Sequence, residues 1–290
     1  MLRNALLAGS GLAVAGFTSL AGAEFGWAAS ASPTTRIAYG AMHIIYPAWV
    51  ANAPSPDHKN SERRYFVSVP KDWTAAACHS NYVTISIRPD PDDLLNKKLD
   101  DQIKHFLSTC PDHVELTCWH EAQSDNPLHY PANVTATNMR KVHAHMQDLC
   151  TNTPNADGGR VRYGCILTGP VGTNADWLGT DLDWYGIDIY DNPNFQLKNG
   201  NLDKSAITGR MDENLSHWQK ATTGTVSVRI TETNSHDNHR KNWMLWLSEW
   251  MAAHNGYRIV TFWNGKLSGN WPPSKTVLEY YKTLQSQYGA

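Results

Sequence analysis

Residues 82–121 read YVTISIRPDPDDLLNKKLDDQIKHFLSTCPDHVELTCWHE. Tyr82–Arg88 is a β-branched run, and it ends at Pro89 and Pro91, whose missing N–H groups stop a strand. From about Asp92 to Ser108, apolar residues return with the 3.6-residue period of a helix. Val114–Glu121 is a strand again. Strand, helix and strand in that order form a crossover unit, and such units build parallel sheets with helices packed on them.

The alternation extends in both directions. Strands are expected near Arg36–Gly40 and at Tyr65–Val69. Downstream come a helix at Val134–Cys150 and strands at Val161–Thr168 and Trp184–Asp191. A helix at Asp212–Ala221, a strand at Val226–Thr233 and a Trp-rich helix at His239–Asn255 follow. Arg258–Asn264 is the last strand, and Ser274 caps a closing helix to Tyr288. The Pro-rich stretch from Tyr46 to Lys59 reads as a long loop where a first helix would stand. Eight strands alternating with helices is the count of an α/β chain of the (β/α)8 TIM-barrel class. A doubly wound open sheet is the alternative, but it usually has fewer strands and a phosphate loop. No internal repeat or linker divides the chain, so one domain is expected.

The chain has 290 residues, 25 basic and 27 acidic, for a net charge of −2. Such a balance gives no field for nucleic acid or an anionic membrane. Neither a P-loop nor a GxGxxG after a strand is present, which excludes common nucleotide chemistry. With 12 Trp and 12 Tyr against 6 Phe, flat amphipathic rings suited to sugar faces are abundant.

Arg3 precedes an apolar small-residue stretch, Ala5 to Leu20, and A-x-A sites end at Ala23 and Ala31. Residues 1–31 are therefore expected to be a signal peptide cleaved after one of these alanines, leaving a secreted domain over 32–290. Of five cysteines, Cys78 and Cys110 each precede a strand on one rim and are the expected disulfide pair. There is no HExxH or CxxC, so neither a metal nor any other cofactor is expected.

A barrel of this kind keeps its active site at the C-terminal ends of its strands. The third strand ends in Arg88, the fourth in Trp119-His120-Glu121 and the sixth in Asp188-Ile189-Tyr190-Asp191. The seventh ends in Thr231-Glu232-Thr233 and the eighth in Trp263-Asn264. Alternation turns Arg88, Trp119, Glu121, Asp188, Tyr190 and Trp263 inward. In the seventh strand Glu232 shares parity with Val226, Val228 and Ile230, so the strand kinks or bulges there, or its apolar face is the inner one. Glu121 and Glu232 end strands on opposite sides of the mouth and could flank a glycosidic bond, one as acid/base and one as nucleophile. Tyr190 and Arg88 are placed to hold Glu232 ionised, and Trp263 to stack on a sugar. Trp243, Trp246 and Trp250 recur at helical spacing and belong to helix packing.

These motifs together resemble the clan of retaining (β/α)8 glycoside hydrolases with catalytic glutamates after strands four and seven. His120-Glu121 is most similar to the β-mannanase family, which uses His-Glu at the acid/base. The resemblance implies that Tyr190 contacts the nucleophile Glu232 in Ile230-Thr231-Glu232, and that Trp263 lies after strand eight. Arg88, Trp119, His120 and Asn264, as inward or rim residues at strand ends, are further expected substrate contacts. Ala122-Gln123-Ser124-Asp125-Asn126-Pro127 departs from the Trp- and Gly-rich loop common after His-Glu in mannanases. The expected function is therefore a secreted, monomeric glycoside hydrolase acting on β-linked carbohydrate, mannan-type first, without nucleic acid or membrane partners. The alternatives are a non-catalytic carbohydrate-binding barrel, or a glycosidase for xylan, glucan or a chitin-like substrate.

Overall fold

The computed structural model describes residues 38–42, 62–67, 82–112, 114–123, 130–168, 175–190, 203–223, 227–234, 240–253, 257–262 and 283–284. All of them fall in one compact unit, Pro33–Ala290. The expected signal peptide, Cys78 and the closing helix, apart from residues 283–284, lie outside the described residues.

Eight strands form: β1 (Ala38–Met42), β2 (Glu62–Val67), β3 (Tyr82–Ile87), β4 (Val114–Cys118), β5 (Arg162–Thr168), β6 (Trp184–Tyr190), β7 (Val228–Asn234) and β8 (Tyr257–Phe262). They are parallel and pair in sequence order, and β1 also pairs with β8, so the sheet closes on itself. Helices are described in four of the crossings. Two of them, α1 (Pro91–Leu95) and α2 (Asp100–Thr109), join β3 to β4. The next, α3 (Ala136–Asn152), joins β4 to β5; α4 (Lys204–Lys220) joins β6 to β7; and α5 (Arg240–Ala253) joins β7 to β8.

Three differences from the sequence reading have local causes. The single helix expected over 92–108 is two, because Lys97 takes a left-handed φ of 60° and breaks the ladder. The helix expected from Asp212 begins at Lys204, where the Asp203 carboxylate accepts the Ala206 N–H at 3.1 Å. The disulfide expectation is corrected as well. Cys110, Cys118, Cys150 and Cys165 are all buried thiols. The Cys110 thiol donates to the Phe106 carbonyl at 3.3 Å, back into the last turn of α2. These cysteines serve as small apolar packing residues, a common use of a buried thiol.

The alternation of the strands divides two environments. Val83, Ile85, Ile87, Val114, Leu116, Tyr185, Ile187 and Ile230 join one apolar cluster with the helices. Trp243, Trp246 and Trp250 belong to that cluster, as their spacing predicts. Between these apolar residues alternate Thr84, Ser86, Glu115, Thr117, Asp188, Arg229 and Thr231, all buried. Barrels of this class usually fill their interior with branched apolar side chains, so the described part of this one is unusually polar.

The floor of the interior is ionic. The two terminal nitrogens of Arg229 on β7 grip the Glu115 carboxylate on β4, Nη2 donating to Oε1 at 2.9 Å and Nη1 to Oε2. Arg162 on β5 lies 3.1 Å from the same carboxylate. The Arg229 guanidinium also stacks 4.3 Å from the ring centre of Trp184. Gly164 makes that stack possible, because a Cβ there would lie 2.1 Å from the Trp184 ring. The Glu115–Arg229 bond ties β4 to β7 through the interior, since these strands are not neighbours in the sheet.

Candidate active site

The fourth strand is shorter than its sequence pattern predicts. It ends at Cys118, and Trp119 and Glu121 adopt positive φ values of 52° and 56°. Neither is glycine, so each costs on the order of 1–2 kcal/mol and must be held by its surroundings. The Trp119 N–H donates to the Ile87 carbonyl of β3 at 2.9 Å, and the Glu121 N–H to the Ile166 carbonyl of β5 at 3.0 Å. The turn is thus clamped to both neighbouring strands.

The turn redirects the side chains. Trp119, expected to face a substrate, is instead buried in the apolar cluster. Its indole N–H donates to the Pro89 carbonyl at 2.6 Å, and Tyr130 packs edge-on against it at 5.4 Å. The Tyr130 hydroxyl reaches the Glu121 carbonyl at 3.4 Å. Tyr130 is a member of this assembly that sequence reasoning missed, because nine residues separate it from Glu121 and no motif marks it.

His120 is buried and pinned at both ring nitrogens. Nδ1 lies 2.6 Å from Ser86 Oγ and Nε2 lies 2.7 Å from Arg88 Nη2. A guanidinium can only donate, so Nε2 accepts and the ring proton sits on Nδ1, donated to Ser86. Arg88 is exposed, and its guanidinium covers the rings of Tyr130 at 5.5 Å and Trp119 at 6.0 Å. Arg88 thus donates to His120, and its expected contact with Glu232 lies outside the described residues. Glu121 itself is half-buried. Arg88, Trp119, His120 and Glu121 are therefore brought together, with Ser86 and Tyr130 completing the group.

Across the interior, Asp188 on β6 is fully buried and accepts the Thr231 hydroxyl at 2.6 Å. Tyr190 is half-buried at the end of the same strand. The seventh strand does bulge: Ile187 pairs with Ile230, but Asp188 pairs with Glu232. Thr231 is the extra residue, and Glu232 takes the register position of Asp188 rather than that of Ile187. The Glu232 side chain, Trp263 and Asn264 lie outside the described residues, and with them the carboxyl separation and the Tyr190–Glu232 contact.

No protein-family model and no curated protein matches the chain. Solved structures do match. The catalytic domain of a GH26 endo-β-1,4-mannanase from Bacillus sp. JAMB-750 aligns with TM-score 0.56 and 11% identity, over 89% of this chain and 88% of that one. A GH128 (subgroup III) curdlan-specific exo-β-1,3-glucanase from Blastomyces gilchristii, in complex with glucose, aligns with TM-score 0.52 and 13% identity, over 84% and 97%. A GH128 (subgroup VII) oligosaccharide-binding protein from Trichoderma gamsii aligns with TM-score 0.55 and 11% identity, over 90% and 98%. What the chain shares with them is the fold.

Proposed function

We propose that the chain is a secreted, monomeric, retaining glycoside hydrolase with a single (β/α)8 domain over 32–290, acting on β-linked polysaccharide or oligosaccharide, mannan-type first. The observation that carries this reading is that Glu121 lies just beyond the C-terminal end of β4 and Glu232 near the C-terminal end of β7, and that Glu115–Arg229 joins these two strands through the interior. The fold shared with mannanases and glucanases agrees with it.

In this mechanism the Glu232 carboxylate attacks the anomeric carbon while protonated Glu121 donates its proton to the departing glycosidic oxygen. Glu121, now a carboxylate, takes a proton from water, and that water displaces Glu232 from the sugar with a second inversion. His120, fixed by Ser86, holds Arg88 at the same turn, and the guanidinium keeps further N–H donors for the substrate. Tyr190 orients Glu232, and Trp263 and Asn264 contact the sugar. The chemistry needs neither metal nor cofactor.

The test is release of reducing ends from mannan, xylan, curdlan and mixed-linkage glucan. Activity on at least one is expected, and it should vanish in Glu232→Ala with the fold intact. The product anomer should retain its configuration, because a double displacement inverts the anomeric carbon twice. The second reading, a non-catalytic sugar-binding barrel, is favoured by the match to an oligosaccharide-binding protein over 98% of its length. Saturable oligosaccharide binding without any release of reducing ends would establish it instead.

A further inference from the structure

We propose that Thr231 is a positioning residue: its hydroxyl, held by Asp188 above Gly186, fixes the bulge that gives Glu232 the register position of Asp188. The inference rests on the reading of Glu232 as the nucleophile. Regular alternation would give Glu232 the parity of Val228 and Ile230, both of which belong to the apolar cluster on the helix side. The register changes this. One step on β6, Ile187 to Asp188, matches two on β7, Ile230 to Glu232. On the other flank, β8 advances from Val260 to Phe262 while β7 advances from Ile230 to Thr233. Both neighbours thus see one surplus residue in β7.

One contact, one space and one bond beyond it fix the bulge. The Thr231 hydroxyl donates to Asp188 Oδ1 at 2.6 Å. Gly186 leaves the space, since a Cβ there would stand 2.6 Å from Thr231 Cγ2 and 2.7 Å from its Oγ1. Past the bulge, Thr233 pairs with Ile189 and accepts the Trp243 indole N–H of α5 at 2.7 Å, which returns the strand to the helix side. The bulge is fastened from inside by Asp188 and from outside by Trp243. A strand that slips by one residue exchanges its two faces, so loosening Thr231 would carry Glu232 away from the mouth.

Thr231→Val keeps the shape and removes the hydroxyl. It should lower kcat by about 100-fold with KM little changed, because misplacing a reacting group by about 1 Å costs that much. Thr231→Ser should restore most of the rate, which a mere packing role would not produce. Equal kcat for the Val and Ser variants overturns the proposal; if Thr231→Val does not fold, Thr231→Ala replaces it in the same comparison. A wild-type chain that releases no reducing ends defeats the functional reading instead. The bulge is then judged by a crystal structure of Thr231→Val or Thr231→Ala. Loss of the Asp188–Glu232 register supports the proposal, and an unchanged register overturns it.

Discussion

The floor and the mouth of the barrel use the same residue types in opposite ways. At the floor, Glu115 and Arg229 are 3% and 1% exposed and close a bidentate pair with Trp184 stacked on the cation. At the mouth, His120 and Arg88 are joined by one hydrogen bond, Arg88 is open to solvent, and the backbone on both sides of His120 is left-handed. At the floor both terminal nitrogens of the cation are already paired. The mouth stores strain and leaves donors facing outward. In barrels of this kind the N-terminal end serves stability and the C-terminal end chemistry, and here that division is written in charge as well as position.

The comparison breaks most visibly at Arg229. Arg229→Met leaves Glu115 buried beside Arg162 alone and should cost about 3–5 kcal/mol of unfolding free energy in urea. Pairing it with Glu115→Leu should recover most of that loss, because no uncompensated charge remains. A single variant as stable as wild type would mean that the floor does not hold the barrel.

A smaller effect is expected from His143 on α3, which meets the Tyr163 hydroxyl at 2.8 Å. Burial lowers its pKa from 6.5 to about 4. The unfolded chain therefore takes up the proton first. Stability from this group is complete above about pH 6.5 and declines as pH falls toward 4, by at most about 1.4 kcal/mol per unit. Urea midpoints at pH 7.5 and 4.5 should differ less in His143→Gln than in wild type; equal differences would refute this. The loss belongs to the outer layer and should appear without any change at the mouth.

Ser86→Ala sharpens the comparison from the other end. It strips the acceptor from the His120 Nδ1–H and should cost about 1–2 kcal/mol for a buried unpaired donor. If the mouth serves chemistry, kcat/KM on the best glycan falls at least about tenfold, while Arg229→Met alters stability more than rate. The smallest change is expected at Lys98, exposed and 2.7 Å from Asp93. Lys98→Ala should stay within about 0.5 kcal/mol of wild type in urea and leave turnover unaltered.

The strands were legible in the sequence because short β-branched runs such as Tyr82–Ile87 and Arg162–Thr168 say the same thing locally and globally. Their lateral relations were not. Glu115 and Arg229 are 114 residues apart, and nothing in either neighbourhood announces the other. The left-handed turn at Trp119–Glu121 carries no glycine to mark it, so alternation placed Trp119 wrongly. Parity did expose the anomaly at Glu232, but not its cause. The available signals were Gly164 and Gly186, each isolated inside a strand, a pattern that marks a bulge or a close approach. One makes room for Trp184 and the other for Thr231. Of the proposed site, Arg88, His120 and Glu121 were legible as strand-end residues; Ser86, Tyr130 and Thr231 became visible only once the strands were side by side.

The buried thiols equip the molecule with a built-in clock. Cys118 and Cys165 lie on adjacent strands and Cys150 on the helix between them, and burial pushes the Cys165 thiol up to about 12 and raises the other two as well. Only a thiolate attacks a maleimide, and thiolate is almost absent while these sulfurs stay dry. Each of the three can add its mass only when this face of the barrel opens. Following the label at these three sulfurs against time therefore times the breathing of the β4–β5 wall without introducing a new cysteine.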